Sequence, residues 1–325
     1  MVARTWGFWT RNKLDILSAY LPAFTTASSR KARGTTVYLD LFAGTAEGVE
    51  RETGQPISNS AQRALNATPA FTRYYLFELP AVAIALQEGL TSQYPARDDY
   101  RVVSGDSNDT IDGVLAELRD RRLDWAPTFA FLDPRNLGAK WTTIEKLANF
   151  KRRYRNKVEL WVLCFSSTIP RILGGEGDTS VGAEQVTAFY GTDEWQAIKD
   201  ARDQGALDAA QAREEYVNLY RWRLESVLGY RITHSFEVKN TGGLPLYHLI
   251  LATDNETGSR IMRSIYDRAA SEHEAMRREA AERRRIRRDE DRGRPSLFGA
   301  GEMAAGSPGD VAPYVHEAPW RPYGR

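Results

Sequence analysis

The feature that most constrains this chain is a repeated alternation of short apolar runs with longer helical patterns. Val37-Tyr-Leu-Asp-Leu41, Tyr74-Tyr-Leu-Phe77, Tyr100-Arg-Val-Val103, Thr128-Phe-Ala-Phe-Leu132 and Val158-Glu-Leu-Trp-Val-Leu-Cys164 are too short for buried helices and read as buried strands. Between them lie helical patterns at about 57–67, 80–92, 108–121 and 142–153. Strands that alternate with helices predict an α/β fold, a parallel sheet covered on both faces and joined by right-handed crossovers. The alternation then stops. Residues 171–230 form an insert with helical patterns rich in tryptophan, tyrosine and charge. Two strands follow, Arg231–Val238 and Leu246–Ala252, and the turn-forming Asn240-Thr-Gly-Gly243 between them predicts an antiparallel hairpin.

An amphipathic helix over 5–24 and a polar linker to residue 36 precede the first strand. The expected organisation is therefore an N-terminal helix and linker at 1–36 and an α/β domain at 37–270 with its insert at 171–230. A charged helix at 271–292 and a Gly/Pro/Ala-rich mobile tail at 293–325 complete it. Within the charged helix stands Arg283-Arg-Arg-Ile-Arg-Arg288, which invites an RNA-binding function. From Glu272 to Arg294, however, nine arginines face seven acids, and interleaved signs on a helix fit a solvated face with i,i+4 pairs.

Forty-four basic against forty-three acidic residues leave no overall field that would mark a nucleic-acid or membrane partner. No apolar stretch reaches the roughly 20 residues of a membrane span, and the N-terminus lacks a signal-peptide layout, so the expected location is the cytoplasm. Cys164 sits in an apolar run and reads as a core residue. The four histidines have no metal-ligand spacing, and no metal is expected.

Candidate site residues come from the strand ends, because ligands of open α/β sheets bind beyond the C-terminal ends of the strands where strand order reverses. The first strand ends in Asp40, followed by the loop Leu41-Phe-Ala-Gly-Thr-Ala-Glu-Gly48. Phe42 and Gly44 lie in that loop, and small residues at 44 and 48 let backbone approach a ligand closely. The second strand ends in Glu78, a possible acceptor of ribose hydroxyls. The third is followed by Ser104-Gly-Asp106, where Asp106 could accept from an adenine amino group. Each acid alone also fits a helix N-cap or a solvated loop residue. The fourth strand ends in Phe131-Leu-Asp-Pro134, where proline restrains its neighbour and Asp133 could hold an exocyclic amine for in-line transfer. Arg135 offers a planar cation for stacking or for a phosphate, and Lys13 on the first helix could reach the mouth of the site. In the insert, Phe189, Tyr190, Trp195, Tyr216, Tyr220 and Trp222 fit either a base-stacking lid or core packing.

Several separated segments are similar to the three-Cys-motif partner (TcmP) family across roughly residues 6–265. They are Trp9-Thr-Arg-Asn-Lys-Leu-Asp-Ile-Leu-Ser-Ala-Tyr-Leu21, Tyr38-Leu-Asp-Leu-Phe-Ala-Gly44, Gly54-Gln-Pro-Ile-Ser58, Phe131-Leu-Asp-Pro134 with Trp141, and Leu246–Thr253 with Gly258 and Ile261-Met262. That family resembles class I S-adenosylmethionine (SAM)-dependent methyltransferases. The resemblance implies a Rossmann-like seven-stranded sheet and a SAM site at Asp40, Gly44, Glu78 and Asp106. It further implies a partner protein that carries the three cysteines, and its Asp-Pro segment resembles that of enzymes that methylate adenine N6 in ribosomal RNA. RNA or DNA would then be the substrate, with its target base flipped out. The sequence says nothing of oligomeric state. Two departures stand out. Ala46 occupies a position where glycine is usual in the cofactor loop, and Arg135-Asn136 follow Asp133-Pro134 where an aromatic residue would stack the base. Both leave open a non-catalytic scaffold for the three-Cys-motif protein.

Overall fold

The computed structural model describes residues 4–32, 34–45, 48–151, 154, 157–174, 179–291 and 313–324. Five parallel strands carry the predicted alternation: β2 (Val37–Asp40), β4 (Arg73–Glu78), β5 (Tyr100–Ser104), β6 (Thr128–Leu132) and β7 (Glu159–Cys164). β8 (Ile232–Lys239) and β9 (Pro245–Thr253) form the hairpin, and β9 inserts antiparallel beside β7. The order across the seven-stranded sheet is β5-β4-β2-β6-β7-β9-β8. The parallel strand order therefore reverses between β2 and β6, which is where an open sheet leaves a crevice at its C-terminal edge.

The helices are α1 (Phe8–Ala32), α2 (Ser60–Leu65), α3 (Pro80–Gln93), α4 (Ser107–Asp120) and α5 (Trp141–Phe150). The insert supplies α6 (Ile169–Leu173), α7 (Thr179–Tyr190), α8 (Trp195–Asp203) and α9 (Ala209–Ser226), and α10 (Glu256–Asp291) follows the hairpin. Period-two alternation along β2 sends Val37 and Leu39 to one face and Tyr38 and Asp40 to the other. The first face packs under α4, α5 and the insert, whose Phe189, Tyr190, Trp195, Tyr216 and Tyr220 are buried there. Those five aromatics are core packing, as the aromatic spacing allowed; a lid would need them exposed. The second face packs under α1, α2, α3 and α10 through residues such as Leu17, Tyr20, Leu86 and Tyr266.

Three departures from expectation stand out. α1 begins at Phe8 and runs on through the polar stretch to Ala32, because Ala, Ser, Arg and Lys sustain a helix once its apolar face is docked. Trp6 belongs instead to β1 (Arg4–Trp6), which pairs in parallel with β3 (Gly48–Glu50) just after the loop that follows β2. Finally, residues 313–324, expected within a mobile tail, lie against α9, β8 and α10 through hydrogen bonds from side chains of those elements. Residues 293–312 lie outside the described residues, as do Ala46 and Gly175–Gly177. α10 runs without a break through position 270 to Asp291, with the charged segment as its C-terminal part.

Candidate functional site

The loop after β2 is held from several sides. Gly44 adopts a left-handed backbone at φ +72°, where a side chain would be strained, and its amide donates to Glu78 Oε2 at 2.8 Å. Glu78 Oε1 accepts from the amide of Leu79 at 3.0 Å. Both carboxylate oxygens thus face backbone amides, and a ligand hydroxyl would share Glu78 with the loop. Beneath the loop, Asn59 Nδ2 donates to the carbonyls of Ala43 at 3.2 Å and Thr45 at 2.9 Å. Asn59 is also the N-cap of α2 in a reciprocal capping box with Gln62. The Asn59-x-x-Gln62 pattern was visible in the sequence; its grip on the loop was not.

Asp40 is fully buried on the α1/α2 face of the sheet. Burial pushes its carboxyl up to about 7, against the opposing pull of the nearby Ser60 and Tyr38 hydroxyls, and nearby Asp133 adds to the rise. Tyr38 Oη donates to Asp40 Oδ2 at 3.1 Å, while Oδ1 is buried without a hydrogen-bond partner among the described residues. Phe42 packs part-buried against the opposite face.

Gly48 behaves differently from expectation. A Cβ there would lie 2.4 Å from the indole of Trp6, so this glycine admits an aromatic ring of β1 rather than a ligand.

Asp106 is the N-cap of α4: its Oδ1 accepts from the amide of Asn108 at 2.8 Å. Asn108 then joins this strand end to the loop after β6. Its Nδ2 donates to Asp106 Oδ1 at 2.8 Å and to the Gly138 carbonyl at 2.9 Å. Its Oδ1 accepts from the Lys140 amide at 3.0 Å and the Thr143 hydroxyl at 2.8 Å. Asn108 carried no signal in the sequence, because the Gly138, Lys140 and Thr143 groups that make it a hub lie 30 or more residues away.

Asp133 lies two residues past the Asp40–Phe131 pairing of β2 and β6, on the same face as Asp40. Its Oδ2 is paired with Lys13 Nζ from α1. The Lys13 side chain is only 8% exposed, and its ammonium stands 6.0 Å from the ring centroid of Tyr247. Tyr247 donates to the Trp9 carbonyl at 3.3 Å and packs on Phe165 at 5.3 Å between ring centroids. Lys13 is therefore part of the site itself, not of a solvated helix face. Pro134 is buried beside it, while Arg135 and Asn136 are exposed, with Asn136 at φ +57°.

Cys164, His234 and His273 are buried within the fold. Cys164 is buried in β7 and burial pushes its thiol up to about 12. His234 lies 2.8 Å from Ser259 Oγ, and His273 accepts from the Lys239 amide at 3.0 Å. No helix among the described residues is long and apolar enough to cross a membrane.

No family model matches the chain, and no curated protein matches it. Among solved structures, a Legionella pneumophila protein of family DUF519 is similar at a TM-score of 0.45 and 9% identity, over 80% of this chain and 92% of that one. A Thermobifida fusca protein provisionally named a methyltransferase gives a TM-score of 0.32 at 14% identity, over 54% of this chain and 57% of its own length. Superpositions this loose establish no residue correspondence. The mixed α/β character and the mostly parallel seven-stranded sheet rest on the strand order of this chain.

Proposed function

We propose that this chain is a class I SAM-dependent methyltransferase-like protein that acts on an amino group of a nucleic-acid base, with RNA the favoured substrate. The observation that supports this is the row of polar strand ends along one edge of the sheet. Asp40 with its loop, Glu78, Asp106 and Asp133 all stand at the C-terminal edge, on either side of the reversal between β2 and β6. The antiparallel β9 between β7 and β8 agrees with the methyltransferase sheet implied by the resemblance described above.

SAM, when bound, supplies an electrophilic methyl group. The residues fit such a cofactor: the buried, unpartnered Asp40 Oδ1 and the Glu78 carboxylate are acceptors, and the tight turn at Gly44 keeps the loop close to them. Asp133 and the Pro134 carbonyl then serve as acceptors for the two protons of an exocyclic amine, which orients its lone pair by positioning alone. Lys13 holds Asp133 in place and leaves its other oxygen for the substrate. The aromatic residue absent after Pro134 leaves Arg135 to stack on the base or hold a phosphate. A protein with three conserved cysteines is the proposed partner, on the strength of the sequence resemblance.

A second function, a non-catalytic scaffold for that partner, is favoured by one observation. The Lys13 ammonium occupies an Asp133 oxygen that an acceptor amine would otherwise use.

Calorimetric titration with SAM and S-adenosylhomocysteine tests the first proposal, followed by methyl transfer from radiolabelled SAM to bulk RNA. Micromolar cofactor binding with transfer abolished in Asp133→Asn supports it. A folded chain that binds neither molecule refutes it. Binding without transfer, alone or with the partner, selects the scaffold.

A further inference from the structure

Residues 313–324 are held by side chains of α9, β8 and α10. Asn218 of α9, only 1% exposed, reads the backbone of Trp320 in both directions. The Trp320 amide donates to Asn218 Oδ1 at 2.9 Å, and Asn218 Nδ2 donates to the Trp320 carbonyl at 3.1 Å. One turn further along α9, buried Arg221 donates to the Glu317 carbonyl while its guanidinium is anchored on Thr233 of β8, at 3.1 Å and 3.0 Å. Glu215 accepts from Trp320 Nε1 at 2.8 Å and from the Tyr323 amide at 3.3 Å. On α10, Asp267 accepts from the Tyr314 amide at 3.0 Å. The Tyr314 ring stands edge-on to Tyr266 at 5.3 Å, with its hydroxyl 3.3 Å from His234 Nδ1.

Two asymmetries distinguish this from ordinary core packing. The receiving groups, Asn218, Arg221 and His234, are buried, whereas Val315, Trp320 and Tyr323 of the segment are 64%, 40% and 41% exposed. The contacts are also mainly side chain to backbone, made to a stretch with no helix or strand of its own. Side chains that read an extended backbone, with aromatic anchors at intervals, are the means by which folded domains hold peptides.

We propose that α9, β8 and α10 form a binding site for an extended peptide with tyrosine and tryptophan anchors six residues apart, and that residues 313–324 are its tethered ligand. Twenty-one residues, 292–312, connect the segment to α10. Fully extended, they reach about 70 Å. The site is thus filled in cis, and an added peptide of the same kind is proposed to exchange with its occupant. It is independent of the proposed cofactor site, so either can fail without the other.

The test uses the full chain with a specific protease sequence inserted within 292–312, cleaved after folding. Labelled peptide 313–325 is added in excess, and its uptake and the released fragment are followed by anisotropy and mass spectrometry. Expected are a folded nicked protein, saturable one-to-one entry of the peptide, and displacement of the original fragment. A peptide carrying Trp320→Ala should bind at least ten-fold more weakly, a comparison that leaves the folded protein untouched. A fragment that leaves only when the protein unfolds would make the segment an integral part of the fold and overturn the proposal. A folded nicked protein that loses its fragment and takes up no peptide would overturn it equally.

Discussion

The two edges of the sheet hold the same unusual object in different settings. At the C-terminal edge Asp40 is a buried carboxyl raised to about 7, and at the N-terminal edge so is Glu159. Burial is the largest cause in both. Both oxygens of Glu159 have donors from neighbouring elements: Tyr20 of α1 donates to Oε1 and Thr253 of β9 donates to Oε2, and a Cβ on Gly258 of α10 would come within 3.1 Å of Oε2. Asp40 accepts from Tyr38 at Oδ2, while its buried Oδ1 makes no hydrogen bond among the described residues. A carboxyl saturated by neighbouring elements is a knot that fastens them. One left with an unfilled buried acceptor is what the proposed cofactor site would use.

The largest effect should come from the knot. Glu159→Ala would leave the Tyr20 and Thr253 hydroxyls buried without their acceptor, so we expect a loss of about 3 kcal/mol in urea denaturation. A loss below 1 kcal/mol would remove the distinction between the two edges. Glu159 also sets a pH dependence. Its folded pKa lies above the unfolded value of 4.5, so its stabilising contribution is fully present below pH 4.5 and is lost as pH rises through 7. The span is on the order of 3 kcal/mol. Glu159→Gln should flatten that part of the stability-against-pH curve, and an unchanged curve would refute the assignment.

Next in size is Lys13→Met, which leaves the part-buried Asp133 without its cation and should cost about 2 kcal/mol, read as a lowered thermal midpoint. A neutral outcome would mean that the pair is as dispensable as a surface ion pair.

At the Asp40 edge the expected effects fall on binding more than on folding. Glu78→Gln should weaken S-adenosylhomocysteine about ten-fold, or ~1.4 kcal/mol, by calorimetry. Smallest is a pH effect. SAM carries a sulfonium and S-adenosylhomocysteine does not, so ionisation of Asp40 should favour SAM selectively. Its affinity should rise a few-fold between pH 6 and pH 8, and Asp40→Asn should abolish the difference. Equal pH profiles for the two molecules would show that Asp40, like Glu159, serves only the fold.

The strand runs, the hairpin and the acids at the strand ends were legible in the sequence because each is encoded locally. An apolar run of five or six residues with a turn signal behind it has few alternatives, and a residue that ends such a run must stand at a sheet edge. β6 matches the run Thr128–Leu132 residue for residue for that reason. Lys13 could be named only as a cation on a helix. Its burial against Asp133 depends on how α1 crosses the sheet, 120 residues away in the chain. Glu159 sat unremarked in a strand run, because the Tyr20 and Thr253 hydroxyls that accommodate it come from α1 and β9.

Composition misled most at the C-terminus. Residues 313–324 have the look of a tail, but α9 and α10 present Asn218, Arg221 and Asp267 to their backbone. The sequence alone therefore determined the α/β class, the sheet strands and the edge on which the polar strand ends gather, since hydrophobic periodicity acts within a few residues. Tertiary structure alone decided which polar groups meet. Burial makes an unpaired donor or acceptor costly, so each such group is placed by partners that only the folded chain brings within reach.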